Sequence, residues 1–449
     1  MKKRLVSIGN IVLGEGNVVV QTMTNTSTKD IKSTVNQIIQ LIETGAEMVR
    51  ITVPSLSDVM AINKIKKEVR AAGFQQPLIA DVHFQSEVAY ELAPIVDKIR
   101  INPGNYSETK NSSEIQLTEN EYRKSLEKMS LKAQPLLERC KLYETALRIG
   151  VNHGSLCNRI INRYGNGAQA MSMSALEWIT ICEANNFTNM VFSMKSSNVV
   201  TMMEATLLLQ KEMTKRGSCY PLHLGVTEAG AGLDGRVKSA IGIGGLLLQG
   251  IGDTIRVSLT EPPEMEIPFA KTLVKAVANI QHSEPLYQID KEHHTVIFNL
   301  NEPDLDLFTA KIAAICGKLL SENQLQNIAI SNPHFAQEIC QELEMSILQG
   351  CRLKMSKTEI ISCPTCGRTQ YDLTTVLEEV KKRFSHHPGL KLGVMGCVVN
   401  GPGEMTDAHF GIVGASNNNM VVYKGKEKIS KAVTMEEALL ILEKVIDNW

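Results

Sequence analysis

The stretch Pro77-Leu78-Ile79-Ala80-Asp81-Val82-His83, then a helix-period segment over 86–95, then Lys98-Ile99-Arg100-Ile101-Asn102, reads as one strand–helix–strand unit. Each strand is short, β-branched and apolar, and each ends on a polar residue. Working outward, the same unit recurs through the first 260 residues. Strands are predicted over 18–23, 48–53, 77–83, 98–102, 146–152, 189–195, 221–228 and 253–259. Eight strands alternating with helices over about 250 residues predict an α/β fold of the (β/α)8 TIM type. An open doubly wound sheet is the competing architecture, but no GxGxxG turn follows the first strand.

Residues 4–20 read as a hairpin closing the barrel floor, and 106–142 as a polar, helix-prone insertion after strand 4. Glu261-Pro262-Pro263 ends the periodic region. Residues 264–349 form a small α/β stretch, with strands predicted at 294–300 and 327–331 and helices at 305–320 and 335–344. From Thr358 a third unit begins: strand 359–362, helix 372–384, strand 390–395, a glycine-rich loop over 397–404, a strand pair, and helix 435–445. The expected division is a barrel (1–265), a short α/β middle segment (266–349) and a small α/β domain (350–449).

Composition narrows the function. The 449 residues are 43% hydrophobic and 21% charged, an ordinary globular balance. A net charge of −1 gives no global basic field, so no nucleic-acid partner is expected. Any anion site must be built locally. No apolar run approaches a membrane span and no signal-peptide core follows Met1-Lys2-Lys3-Arg4, so a cytoplasmic protein without a membrane partner is expected. Ten scattered cysteines lack the density of a disulfide scaffold, and clustered cysteines in a reducing compartment mean metal or catalysis.

Polar residues in or just after the strands are the barrel's candidate site: Arg50, Asp81, His83, Arg100, Asn102, Arg148, Asn152, Lys195, Glu228 and Arg256. In such barrels the C-terminal strand ends build the active site. Four arginines and a lysine match a substrate with several phosphate oxygens, since guanidinium forks pair bidentately with phosphate. Any one of these arginines alone is as well explained by a structural salt bridge; recurrence in five strands is the stronger signal. Asp81, His83 and Glu228 supply proton donors or hydroxyl-binding groups. Lys238, in Asp234-Gly235-Arg236-Val237-Lys238-Ser239 after strand 7, is a further phosphate candidate, weighed against a solvated turn. Ile241-Gly242-Ile243-Gly244-Gly245 reads as close helix packing.

Cys363-Pro364-Thr365-Cys366 and Cys397, with Glu404 seven residues further on, form the second constellation. Three thiolates and a carboxylate suit an iron–sulfur cluster whose last iron takes a weaker oxygen ligand. A zinc site needs a further CxxC or His pair, for which His386, His387 and His409 are the available donors. A redox dithiol fits CxxC but leaves Cys397 unexplained. The other seven cysteines lie in apolar or helical surroundings and read as structural.

Taken together, Val20-Gln21-Thr22-Met23-Thr24-Asn25-Thr26, Ala80-Asp81-Val82-His83-Phe84, Arg100-Ile101-Asn102-Pro103-Gly104-Asn105, Leu222 to Gly230, Gly252 to Leu259, Ser362 to Cys366 and Gly396 to Glu404 resemble the 4-hydroxy-3-methylbut-2-en-1-yl diphosphate synthase family. The resemblance covers 4–265 and 345–449. It implies an iron–sulfur oxidoreductase that reductively opens and dehydrates 2-C-methyl-D-erythritol 2,4-cyclodiphosphate in the methylerythritol phosphate route to isoprenoids. It implies a [4Fe-4S] cluster on Cys363, Cys366, Cys397 and Glu404, with ferredoxin or flavodoxin as electron donor. Arg50, Arg100, Arg148, Lys195 and Arg256 become the diphosphate and hydroxyl clamp, with Asp81, His83, Asn152 and Glu228 lining the same pocket. The family has a compact form, whose cluster caps the barrel of a dimer partner, and an expanded form with a large middle domain. This chain is similar to the expanded form, yet 266–345 is too short for a second barrel, which needs about 200 residues. A homodimer is therefore one expected arrangement and self-closure the other. A zinc-stabilised barrel enzyme and a cluster-carrying electron-transfer module are the competing functions.

Overall fold

A computed structural model describes residues 3–82, 85–106, 117–398 and 401–449. Two compact units emerge, and neither is continuous in sequence: Met1–Lys195, Glu204–Leu224 and Gly252–Arg256 make the first, and Ser196–Met203, Gly225–Ile251 and Val257–Trp449 the second.

The first unit holds the predicted barrel. Its strands run Val19–Met23, Met48–Thr52, Leu78–Asp81, Lys98–Ile101, Ala146–Asn152, Met190–Lys195, His223–Leu224 and Thr254–Ile255. Neighbours pair in parallel around the ring, and a parallel bridge between Phe192 and Leu222 closes it. The first six strands lie within two residues of their predicted bounds. The last two are far shorter than the predicted 221–228 and 253–259. Residues 221–228 are buried throughout, which mimics a strand in sequence. However, Glu228 (φ 50) and Gly230 (φ 96) take left-handed backbone and turn the chain out of the ladder.

The hairpin Val6–Ile8 with Ile11–Leu13 is antiparallel. Its Val6, Ile8 and Leu13 pack on Val19, Met48, Ile79, Ala146 and Val191, residues from the first half of their strands, so it plugs the barrel floor as expected. The insertion after strand 4 is the helix Glu119–Leu142, started by a Thr118/Glu121 capping box.

The second unit carries two sheets. Gln288–Asp290, Thr295–Asn299 and Asn327–Ser331 form the small middle sheet, with helices Leu305–Ser321 and Gln337–Gly350. The last sheet orders Glu359–Ser362, Lys391–Met395, Phe410–Gly414, Met420–Lys424 and Glu427–Lys428. The first three of these strands are parallel. Helices Leu373–Phe384 and Met435–Ile446 bury Val376, Leu377, Val380, Leu439 and Leu442 against it. The 241–245 glycine run is close packing, as expected: a Cβ on Gly244 would stand 2.5 Å from Ala314 Cβ, and one on Gly245 2.6 Å from the Gly317 backbone. Only a side-chain-free surface admits helix Leu305–Ser321 so near.

Candidate functional site

The barrel strands alternate, so inward residues recur every second position. Arg100 pairs in register with Asp81 on one side and Arg148 on the other. Its guanidinium donates to Asp81 Oδ1 (3.2 Å), the Gly150 carbonyl (3.1 Å) and Asn152 Oδ1 (3.2 Å). Arg148, 1% exposed, donates to Ser193 Oγ at 3.3 Å. Arg50 and Arg256 both reach the sulfur of Met23, at 3.0 and 3.5 Å, a weak acceptor. Lys195 joins them, 7% exposed.

These groups repel one another. Burial, then Arg50 and Arg100, hold Arg148 well below its ordinary pKa. Burial, then Arg148 and Arg50, do the same to Lys195. Among the described residues of the eight strands, Asp81 is the only acid. A low-dielectric interior so short of negative charge is stabilised by an anion. Buried polar atoms point the same way: Gln21 Oε1 and Nε2, Thr24 Oγ1, Thr52 Oγ1 and His223 Nε2 have no hydrogen-bond partner among the described residues.

The structure adds Lys98, His223 and Gln21 to the predicted set. Lys98 is fully buried beside Met48 Sδ (3.6 Å), and burial plus Arg148 and Arg50 push its pKa well down. It lies two positions before Arg100 on the same strand face, a period-two signal legible in Lys98-Ile99-Arg100. His223 is equally buried and held far below the usual imidazole range by burial, Arg148, Lys195 and Lys98. Asn102 is placed differently: its amide donates to Ser155 Oγ (2.7 Å) and accepts from the Gly104 N–H (3.2 Å), bracing a loop. The predicted His83 lies outside the described residues.

In the second unit, Cys363 and Cys366 follow strand Glu359–Ser362, and Cys397 follows Lys391–Met395. Glu404 ends the short helix Gly401–Glu404. The set thus gathers at the C-terminal ends of parallel strands. Thr369 fixes the CxxC turn by accepting from the Cys366 N–H (3.1 Å), and the Gln370 N–H bonds the Gly396 carbonyl (2.9 Å). The Gly396 N–H points at Cys363 Sγ (3.2 Å), as suits a thiolate ligand. All seven other cysteines are buried, whereas these three keep some surface.

Glu228 also lies in the second unit. Ala229 bridges Ser362 in parallel, and Thr260 Oγ1 bonds Ser362 Oγ (2.7 Å) and the Cys363 carbonyl (3.1 Å). Burial pushes the Cys363 thiol well up, with Cys366, Glu228 and Cys397 adding to it. Burial, then Glu228, then Asp407, raise Glu404 likewise. A cationic metal group reverses both effects. Among the described residues no three His, Cys, Asp or Glu side chains converge as tightly as one ion requires; thiolates that ligate a multi-iron cluster stand around a wider body. Lys238 is committed to Glu359 at 2.8 Å, an ion pair continued by Arg352 to Asp407 at 2.9 Å. Burial raises Glu359, but Lys238 and Arg352 outweigh it and hold its carboxyl below the usual range.

A barrel interior rich in buried cations, together with a second unit that carries a set of thiols and carboxylates, defines a class: (β/α)8 barrel proteins with a cysteine-bearing α/β region. Comparison with known proteins gives the particular family. The pattern described as the GcpE TIM-barrel domain matches residues 3–271, and the GcpE C-terminal domain 359–448. The 4-hydroxy-3-methylbut-2-en-1-yl diphosphate synthase (flavodoxin) of Parabacteroides distasonis is 33% identical over 594 residues, covering 99% of this chain and 97% of that protein. Those of Phocaeicola vulgatus (34%, 98% and 96%) and Chlamydia pneumoniae (33%, 97% and 94%) are similar. The chain belongs to this family. Among solved structures, Yersinia pestis dihydropteroate synthase aligns at 13% identity over 61% of this chain and 98% of that one, with a TM-score of 0.38.

Proposed function

We propose that this enzyme opens 2-C-methyl-D-erythritol 2,4-cyclodiphosphate to 4-hydroxy-3-methylbut-2-enyl diphosphate. The reaction takes up two electrons and two protons, breaks a ring C–O bond and releases one oxygen as water. The observation that carries the reading is the barrel's buried cation set: Arg50, Arg100, Arg148, Lys195 and Arg256, balanced on the strands by Asp81 alone. A cyclic diphosphate brings negative charge to these crowded cations, and fixed guanidiniums bind it without reorganising. Asp81 and Asn152 orient Arg100, and Asn152 also offers its amide N–H to a hydroxyl. His83 is assigned to the same pocket by sequence, and Asn102 shapes its rim through Ser155.

Cys363, Cys366 and Cys397 are the thiolate ligands of a [4Fe-4S] cluster in this reading, with Glu404 as the oxygen ligand. Bound there, such a cluster supplies electrons one at a time and a Lewis-acidic iron. A carboxylate exchanges from iron more readily than a thiolate, so Glu404 leaves one position replaceable. Glu228, held by its left-handed backbone and the Ala229–Ser362 bridge, handles the proton or orients the hydroxyl that leaves as water. The names of the relatives, which include flavodoxin, support it as the electron source. Residues 266–349 are a reduced middle segment: the relatives' alignments span 594 and 595 positions against 449 residues here, and 272–358 fall between the two family patterns. No helix among the described residues is long and apolar enough to cross a membrane.

Anaerobic purification tests the cofactor: brown protein with equal iron and sulfide supports it, and colourless zinc protein defeats it. Turnover of the cyclodiphosphate with a chemical reductant then tests the reaction. Unchanged turnover in Arg148→Ala defeats the clamp.

A further inference from the structure

Unit 2 contains a cavity of about 400 Å³ that this reaction does not use, a size that holds a small organic molecule. Its wall combines Asp234 and Lys238, the polar turn singled out in sequence, with Lys357, Glu359, Lys381 and Lys382. The two carboxylates are already matched: Lys238 pairs with Glu359 at 2.8 Å, and Lys357 with Asp234 at 2.7 Å. Lys381 and Lys382 therefore leave the wall with an excess of positive charge. They sit in the last turn of helix Leu373–Phe384, whose carbonyls would repel an anion. Those carbonyls are capped: Thr358 donates its hydroxyl to Phe384 and its N–H to the Ser385 carbonyl. The rest of the lining mixes small apolar groups, Ala229–Ala231, Gly350 and Ile360, with the polar Ser346, Gln349, Thr358, Ser362 and Ser385.

A wall with surplus cations, hydroxyl groups and some apolar surface suits an anion that carries a small organic part. We infer that this cavity is a second anion site, taking a small organic phosphate with a compact hydrocarbon body. Its floor is the Ala229–Gly230 backbone, which bridges to Ser362 and so lies between Glu228 and Cys363. A ligand there stiffens the segment that carries both residues.

The test titrates the full-length protein with n-butyl phosphate and with inorganic phosphate by calorimetry. Wild type, Arg148→Ala and the double variant Lys381→Gln/Lys382→Gln are compared. The Arg148→Ala protein, weakened at the barrel, still binds n-butyl phosphate, and more tightly than inorganic phosphate. Adding the two lysine substitutions to it weakens that binding about tenfold or more, the scale of a lost charge-assisted hydrogen bond. Hydrogen exchange on ligand addition slows at 229–231 and 357–360. No binding to Arg148→Ala, no effect of the lysine substitutions, or protection confined to the barrel strands overturns the inference. An Arg148→Ala protein that binds like wild type counts instead against the barrel clamp, so the two readings fail separately.

Discussion

The barrel interior and the cysteine-bearing end of the second unit are opposite electrostatic problems. In the barrel, arginines and lysines crowd each other and depress one another's pKa. At Cys363 and Glu404, thiols and carboxylates crowd each other and are driven upward. Both sets are too costly to have been kept for stability, since like charges withdrawn from water destabilise the fold. The sign of each imbalance supports the proposed ligands: an anion in one region, a cationic metal group in the other. Residues placed for structure show the contrast. Lys238, Glu359, Arg352 and Asp407 are also withdrawn from solvent, yet they alternate in sign and satisfy each other.

The comparison breaks most visibly at the thiols. Cys363→Ser removes a cluster ligand, and iron content together with turnover falls to background; retention of full iron and sulfide, measured chemically, would show that the thiols are not the ligands. Next comes Arg148→Met, which lowers kcat/KM about a hundredfold or more through lost charge-assisted bonds. The same substitution leaves the thermal midpoint of the ligand-free protein unchanged or higher, because a self-repelling cation has gone. A lowered midpoint with intact kinetics would make Arg148 structural.

A pH series sharpens the barrel's half. Lys195 has a folded pKa well below its ordinary 10.5, so the unfolded chain binds more protons than the folded one between those two values. The cost is fully present below the folded pKa and disappears as pH rises toward 10.5. Stability of the wild type relative to Lys195→Met therefore climbs with pH across that window, and bound diphosphate flattens the climb. A falling difference would mean that Lys195 has a stabilising partner. The smallest effect belongs to Arg383→Ala: its pair with Glu436 at 3.1 Å is exposed, and the change costs under about 0.5 kcal/mol with no change in turnover.

The barrel was legible because a buried parallel sheet writes itself as repeated β-branched runs. Six of its strands needed no other information. Strands seven and eight were overread because burial and hydrogen-bonded pairing separate there: 221–228 is buried like a strand, but a non-glycine residue with positive φ at Glu228 leaves no hydrophobic signature. The arginines were legible as polar punctuation at strand ends. Lys98, Gln21 and His223 lie earlier in their strands, where polar residues read as exceptions to the apolar pattern. The company Glu228 keeps was invisible in sequence, since 135 positions separate it from Cys363 and the Ala229–Ser362 bridge that joins their segments has no local signature.

The close approach of Gly244 and Gly245 to Ala314 and Gly317 bears on how the chain is made. Synthesis completes all eight strands before helix Leu305–Ser321 emerges, so the glycine-lined surface first meets solvent and remains without its cover. Residues 225–251 pack partly on earlier residues, Val199 and Met202 beside Gly242, and gain the rest of their partners as later sequence arrives. A truncation before residue 305 would leave Gly244 and Gly245 without that cover.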